Sequence, residues 1–172
     1  MKKYTAFLRG INVGNIRIKM ADLKSAFEKM GYTQVTTFLQ TGNVIFESGQ
    51  TIGDLKASLE KGLSEAFNYE AYVLVYAFDI LNEIIAQYPM ERDETHHAYV
   101  IFVEGDTVFE ALKLQAQGLG EEANCILPGS GVLYWKVKIG ASTDTNFAKI
   151  VAKPKYKSSV TIRNLQTLEK MV

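Results

Sequence analysis

Only one cysteine and two histidines occur in the 172 residues, and neither sign of charge is in excess. Cys125 has no partner for an internal disulfide, which points to a reducing, cytoplasmic setting. Lysine plus arginine equals aspartate plus glutamate at 19 each. No overall field therefore draws the chain to nucleic acid or to a membrane surface, and such binding would need a local patch. No uninterrupted apolar run is long enough to span a bilayer. The apolar run in the opening MKKYTAFLRG stops at Arg9, too soon for a signal peptide. His96 and His97 are adjacent and would project to opposite faces of an extended segment. No Cys, His, Asp or Glu cluster has metal-ligand spacing, so no metal site is expected and no cofactor is indicated. A Gly-x-Ser-x-Gly elbow and a paired-carboxylate acid–base arrangement are absent too. No reaction is assigned.

What remains is hydrophobic periodicity. Tyr4 to Arg9 reads as a strand, and Met20, Leu23, Phe27 and Met30 recur at helical spacing before a stop at Gly31. TQVTTFLQ and NVIFES are strand-like and flank Thr41–Gly42, a hairpin in which Gly42 can take positive φ. Leu55, Leu59, Leu63 and Phe67 stripe a second helix, and AYVLVYAF is a strand. The order is β-α-β-β-α-β, the ferredoxin-like split βαβ plait. Leu81, Ile84, Ile85 and Tyr88 form a connecting helix, and PMERDETHH is a polar boundary loop. The same order then recurs in AYVIFVEG, a helix through Phe109, Leu112 and Ala116, ANCIL paired with GVLYWKV, a helix over 144–151, SSVTIRN, and a closing helix through Leu165, Leu168 and Met171. The expected fold is α+β, two tandem ferredoxin-like plaits with extra edge helices, divided into 1–77 and 78–172. Cys125 falls inside the apolar ANCIL run and reads as core, not nucleophile.

Candidate site residues gather at loops. FLRGINVGNIRIK carries a strand into a glycine-containing loop before a helix, where backbone N–H groups can face an anion. Arg9 and Lys19 bracket the loop, Gly10 and Gly14 permit close backbone approach, and Asn12 adds a polar side chain. The stretch lacks both the phosphate-loop and the dinucleotide glycine patterns, so a purely structural turn is an equal reading. In a plait the first and third strands run antiparallel as neighbours, so the hairpin residues Gln40 and Asn43 belong at the same sheet end as Arg9. There they either meet a ligand or satisfy loop backbone. Arg163 and Asn164 stand between the last strand and the last helix. Asn164 suits an N-cap, and Arg163 echoes Arg9. Ser142, Thr143 and Asp144 offer caps to the preceding helix, with Asn146 and Lys149 following. The aromatic residues Phe7, Phe38, Tyr72 and Tyr76 sit on strands of an order that RNA recognition motifs share, but TGNVIFES lacks their leading basic-Gly-Phe pattern. Core packing is the better reading of these rings.

AFLRGINVGN, IKMADLKSAFEKMGYTQVTTFLQTGNVIFES and VTIRN together resemble a bacterial family of domains of unknown function built from two ferredoxin-like halves. Its signatures run F-L-R-G-I-N-V-G-G and Q-S-G-N-V. Phe7 to Gly14 match, with Asn15 in place of the last glycine. Gln40, Gly42, Asn43 and Val44 match, with Thr41 for serine, and Lys19 matches the basic residue before the first helix. The family's T-x-R-N-W-N-T ending is met by Thr161, Arg163, Asn164 and Thr167, with Leu165 and Gln166 replacing Trp-Asn. The resemblance implies the two-plait fold and no activity, substrate or cofactor. Two function classes follow from the residues: a module holding a small anion (phosphate, carboxylate or nucleotide) near Arg9, or a nucleic-acid or protein interaction module using a sheet face. Charge balance disfavours nucleic acid, no membrane partner is expected, and the oligomeric state is open.

Overall fold

The computed structural model describes residues 1–172. Contacts divide the chain into two units, Met1–Ile80 with Met171, and Leu81–Lys170 with Val172. Both are ferredoxin-like plaits, giving an α+β protein.

The first unit runs β1 (Lys2–Arg9), α1 (Met20–Lys29), β2 (Thr33–Phe38), β3 (Asn43–Ser48), α2 (Ile52–Phe67) and β4 (Tyr72–Ala77). Its sheet has the order β2-β3-β1-β4, and every pairing is antiparallel. Alternation along the strands decides which side chains meet the helices. Tyr4, Ala6 and Leu8 of β1, Val44 and Phe46 of β3, and Val73 and Val75 of β4 join Leu23 and Phe27 of α1 and Leu55, Leu59 and Leu63 of α2 in one core. The three α2 leucines are wholly buried, each contributing about 2 kcal/mol of apolar burial. Thr51 caps α2, its Oγ1 accepting from Asp54 N at 3.2 Å, and Asn68 ends the helix in the left-handed region.

By the same alternation Thr5, Phe7 and Arg9 share the face turned away from α1 and α2 with Asn43, Ile45, Tyr72 and Leu74. Strand β4 lies at a sheet edge. Two charged side chains of α2 reach it: Lys56 Nζ donates to Val73 O at 2.8 Å, and Val73 N donates to Glu60 Oε1 at 3.1 Å. Lys56 and Glu60 are themselves paired at 2.9 Å. On the opposite edge, β2 changes register between Thr33 and Thr36, where Gln34 takes a φ of 51°.

The helix α3 (Ile80–Ala86) leads into the second unit, which runs β5 (His96–Val103), α4 (Asp106–Gln117), β6 (Ile126–Pro128), β7 (Val132–Lys138), α5 (Asn146–Val151), β8 (Val160–Asn164) and α6 (Leu165–Met171). Its antiparallel sheet has the order β6-β7-β5-β8. Ile101, Leu112, Leu133, Trp135, Phe147 and Val160 are among its core residues.

Three local features differ from the sequence expectation. Strand β5 starts at His96, because His96 and His97 pair with Lys138 and Val137, so the polar loop ends at Thr95. Residues Gly120–Cys125 form a 3-10 turn, leaving Cys125 partly exposed at its end. The cause is distant in sequence. Glu122 Oε1 accepts from Asn146 N at 3.2 Å and Asn146 Nδ2 at 3.0 Å, and its Oε2 accepts from Phe147 N at 3.1 Å. That carboxylate fastens the segment to the start of α5, where it satisfies otherwise unpaired amides. The cap of α5 is Thr145, whose Oγ1 accepts from Ala148 N at 3.1 Å, not Ser142, Thr143 or Asp144. No helix is long and apolar enough to cross a membrane.

Candidate functional site

The loop after β1 and the β2–β3 hairpin lie at one end of the first sheet. Leu8 N donates to Gly42 O at 2.9 Å, and Phe7 stands opposite Asn43 in the ladder. Gly42 has a φ of 79°, and a Cβ there would sit 2.7 Å from Ile11 Cδ1 and 2.8 Å from Leu8 Cβ. Only glycine lets the hairpin approach the loop this closely. Asn12, at a φ of 54°, joins the two segments. Its Nδ2 donates to Ile18 O at 3.1 Å and to Gln40 O at 2.6 Å, and its Oδ1 accepts from Ile18 N at 3.0 Å.

The two asparagines therefore act as staples. Asn12 closes the loop and ties it to the hairpin, while the buried Asn43 donates through Nδ2 to Phe38 O at 2.8 Å and Thr41 Oγ1 at 2.7 Å. Gln40 is exposed and contributes its carbonyl to Asn12. Gly10 and Gly14 are exposed at positive φ, 76° and 56°, with nothing within 4 Å of a Cβ built at either. Sequence reasoning held the ligand and scaffold roles of these polar residues open together. The bonds place the amides of Asn12 and Asn43 in the scaffold.

Arg9 is different. It ends β1 on the face turned away from α1 and α2, opposite Tyr72, and is half-buried. No hydrogen bond, ion pair or ring contact engages its guanidinium. Burial pushes its pKa below the ordinary arginine value, with no acid to offset the loss of water. Tyr72, its ladder partner, donates its hydroxyl to Glu70. Residues 1–21 contain no acidic side chain, nor do residues 29–46, so Arg9, Arg17 and Lys19 make this end locally cationic in a chain of zero net charge. Lys19 is the exposed N-cap residue of α1, which covers the other face of the sheet from Arg9. The two cations thus flank the loop, and no bond joins them.

In the second unit, Arg163 lies on β8 opposite Val100, with 7% of its surface exposed. Its Nη1 donates to Thr161 Oγ1 at 2.8 Å and to Ile162 O at 2.9 Å, while burial pushes its pKa down. Asn164 caps α6, its Oδ1 accepting from Gln166 N at 2.9 Å. Phe7 is wholly buried, so it offers no platform for a base. A groove of about 510 Å³ opens between α1 and α2, lined by Asp22, Ala26, Lys29, Met30, Gly62 and Phe67 among others, and it shares no residue with the loops.

The loops rich in candidate residues fall within the part of the chain that matches a recorded family. The family described as "Protein of unknown function (DUF1697)" matches residues 1–134. The chain belongs to that family. Among solved structures it is similar to the conserved bacterial protein SP0830 from Streptococcus pneumoniae, at 23% identity and a TM-score of 0.79, over 99% of this chain and 96% of that one. The likeness extends the shared fold across both plaits. A search of curated proteins returns no match.

Proposed function

We propose that the end of the first sheet binds a small anion, a phosphate or a carboxylate, with Arg9 as its anchor. The observation carrying this reading is a half-buried guanidinium engaged by nothing in the chain. Taking a cation partly out of water without a partner is costly, and arginine presents five donors in a fork that matches two oxygens of an anion. Lys19 and Arg17 add positive field from a stretch, residues 1–21, that carries no acidic side chain. Gly10 and Gly14 leave the loop backbone open to close approach. In this reading Asn12, Gly42 and Asn43 hold the two loops together, and Gln40 offers an exposed amide beside them.

The test is a thermal-shift titration of the wild type and the Arg9→Ala variant with inorganic phosphate, acetate and mononucleotides. A ligand at 100 times its Kd stabilises by about 2.7 kcal/mol, which for a chain of this size is a rise in Tm of about 5–11 °C. Arg9→Ala should keep its own Tm within a degree or two and lose the ligand-induced rise. A variant that loses stability with no ligand effect in either protein would make Arg9 a structural residue and end the reading.

A further inference from the structure

The same sheet end carries a second kind of chemistry. Two of the large apolar side chains that remain exposed are Val13, at 61%, and Leu39, at 49%. Val13 belongs to the loop after β1 and Leu39 to the hairpin, the two segments that Asn12 ties together through Gln40 O. Leu39 also holds a φ of 56°, a backbone region that asparagine or glycine occupies at less cost. Neither residue belongs to the first unit's core. Val13 lies in the acid-free stretch 1–21 with Arg9, Arg17 and Lys19, and Leu39 lies in the acid-free stretch 29–46. Exposed aliphatic side chains on the two tied segments of the sheet end where β1 closes in Arg9 are complementary to a molecule with an anionic head and an apolar tail.

Resting on the anion reading above, we infer that the ligand is an amphiphilic anion: a phosphate or carboxylate head held at Arg9, with an aliphatic group lying over Val13 and Leu39. The head supplies orientation through the guanidinium fork, and the tail supplies affinity in proportion to the apolar surface it covers. Such a head and tail occur both in free acyl or alkyl phosphates and in the anionic headgroup region of a lipid bilayer.

The experiment is a calorimetric titration with inorganic, ethyl, butyl and hexyl phosphate below their aggregation concentrations, run on the wild type and on Leu39→Asn, Val13→Ser and Arg9→Ala. Full burial of a methylene is worth about fourfold in affinity, so the open site should tighten by about tenfold or more from ethyl to hexyl phosphate. Leu39→Asn suits its left-handed backbone and should fold. It and Val13→Ser should keep the affinity for inorganic phosphate while flattening the dependence on chain length. Arg9→Ala should lose every ligand. Co-sedimentation with phosphatidylglycerol vesicles, against phosphatidylcholine vesicles, assigns the source. Retention by the former that Leu39→Asn abolishes supports the same chemistry with a lipid as its origin. If inorganic phosphate binds through Arg9 but affinity is the same for every chain length, the amphiphile inference is overturned and the anion reading stands. If no phosphate binds and vesicles are ignored, both fall.

Discussion

Replacing Gly42 with alanine tests how tightly the two loops are joined. The residue has a φ of 79°, so any side chain there meets the left-handed penalty of about 1–2 kcal/mol. Its Cβ would also arrive 2.7 Å from Ile11 Cδ1 and 2.8 Å from Leu8 Cβ. Leu8 Cβ is fixed to a buried strand and cannot swing aside, so relief requires moving the hairpin. Overpacking of this kind costs about 1–3 kcal/mol. The sum is about 2–5 kcal/mol, or a fall in Tm of about 4–20 °C. Gly10→Ala is the internal control, because Gly10 has a φ of 76° but nothing within 4 Å of its Cβ. It should show the backbone penalty alone. Urea denaturation followed by circular dichroism gives both values on one scale. If the two variants agree within about 0.5 kcal/mol, the close approach of hairpin and loop exerts no constraint and the argument for a rigid site fails.

Asn12→Asp keeps an acceptor for Ile18 N but turns a second oxygen toward the carbonyls of Ile18 and Gln40, where Nδ2 now donates. Urea melts should show a loss of about 2–3 kcal/mol, larger than for a surface asparagine. Asp93 accepts from Lys136 Nζ at 2.8 Å, His96 Nδ1 at 2.9 Å, Thr95 Oγ1 at 2.7 Å and Thr95 N at 2.9 Å, which hold its carboxyl well below the usual range. A lowered folded pKa stabilises the fold above the unfolded value, about 4, and the effect fades as pH falls below it. Asp93→Asn should therefore melt below the wild type at pH 7, and the gap should narrow steadily from pH 4 to pH 2. Thr161→Val leaves Arg163 Nη1 with Ile162 O but without the hydroxyl at 2.8 Å. A buried charged donor deprived in this way costs about 1–2 kcal/mol, measurable in the same melts, whereas an isosteric change at an idle hydroxyl would be silent.

The elements written in short-range periodicity were legible in the chain. The Leu55–Leu59–Leu63 stripe, the strand runs of β1 and β3, and the glycine of the hairpin each report a local geometry that the fold keeps. The 3-10 turn at Gly120–Cys125 was not legible, because ANCIL is apolar enough for a strand and what bends it is Glu122 bonding amides 24 and 25 residues away. The start of β5 was hidden for a related reason, since two histidines read as loop until β7 supplies their partners. At the candidate site, sequence named the segments that meet but left the division of labour open. That Asn12 and Asn43 are staples follows from bonds to Gln40, Ile18, Phe38 and Thr41. That Arg9 engages nothing is a property of three-dimensional surroundings, and no residue pattern encodes it.

The two side chains of α2 that reach Val73 decide what the first sheet admits at its rim. A free sheet edge offers alternating donors and acceptors to any extended chain, which is how ordered proteins are drawn into fibres and swapped dimers. At β4 both backbone groups of Val73 are occupied by charge-assisted bonds from Lys56 and Glu60, so an incoming strand must first break an ion pair and two hydrogen bonds. The guard is supplied by the helix whose leucines build the core, so it forms when α2 docks and is missing only while α2 is undocked. On this edge, resistance to self-association is therefore coupled to the folding of one helix, and the interval of exposure lasts no longer than that helix takes to seat.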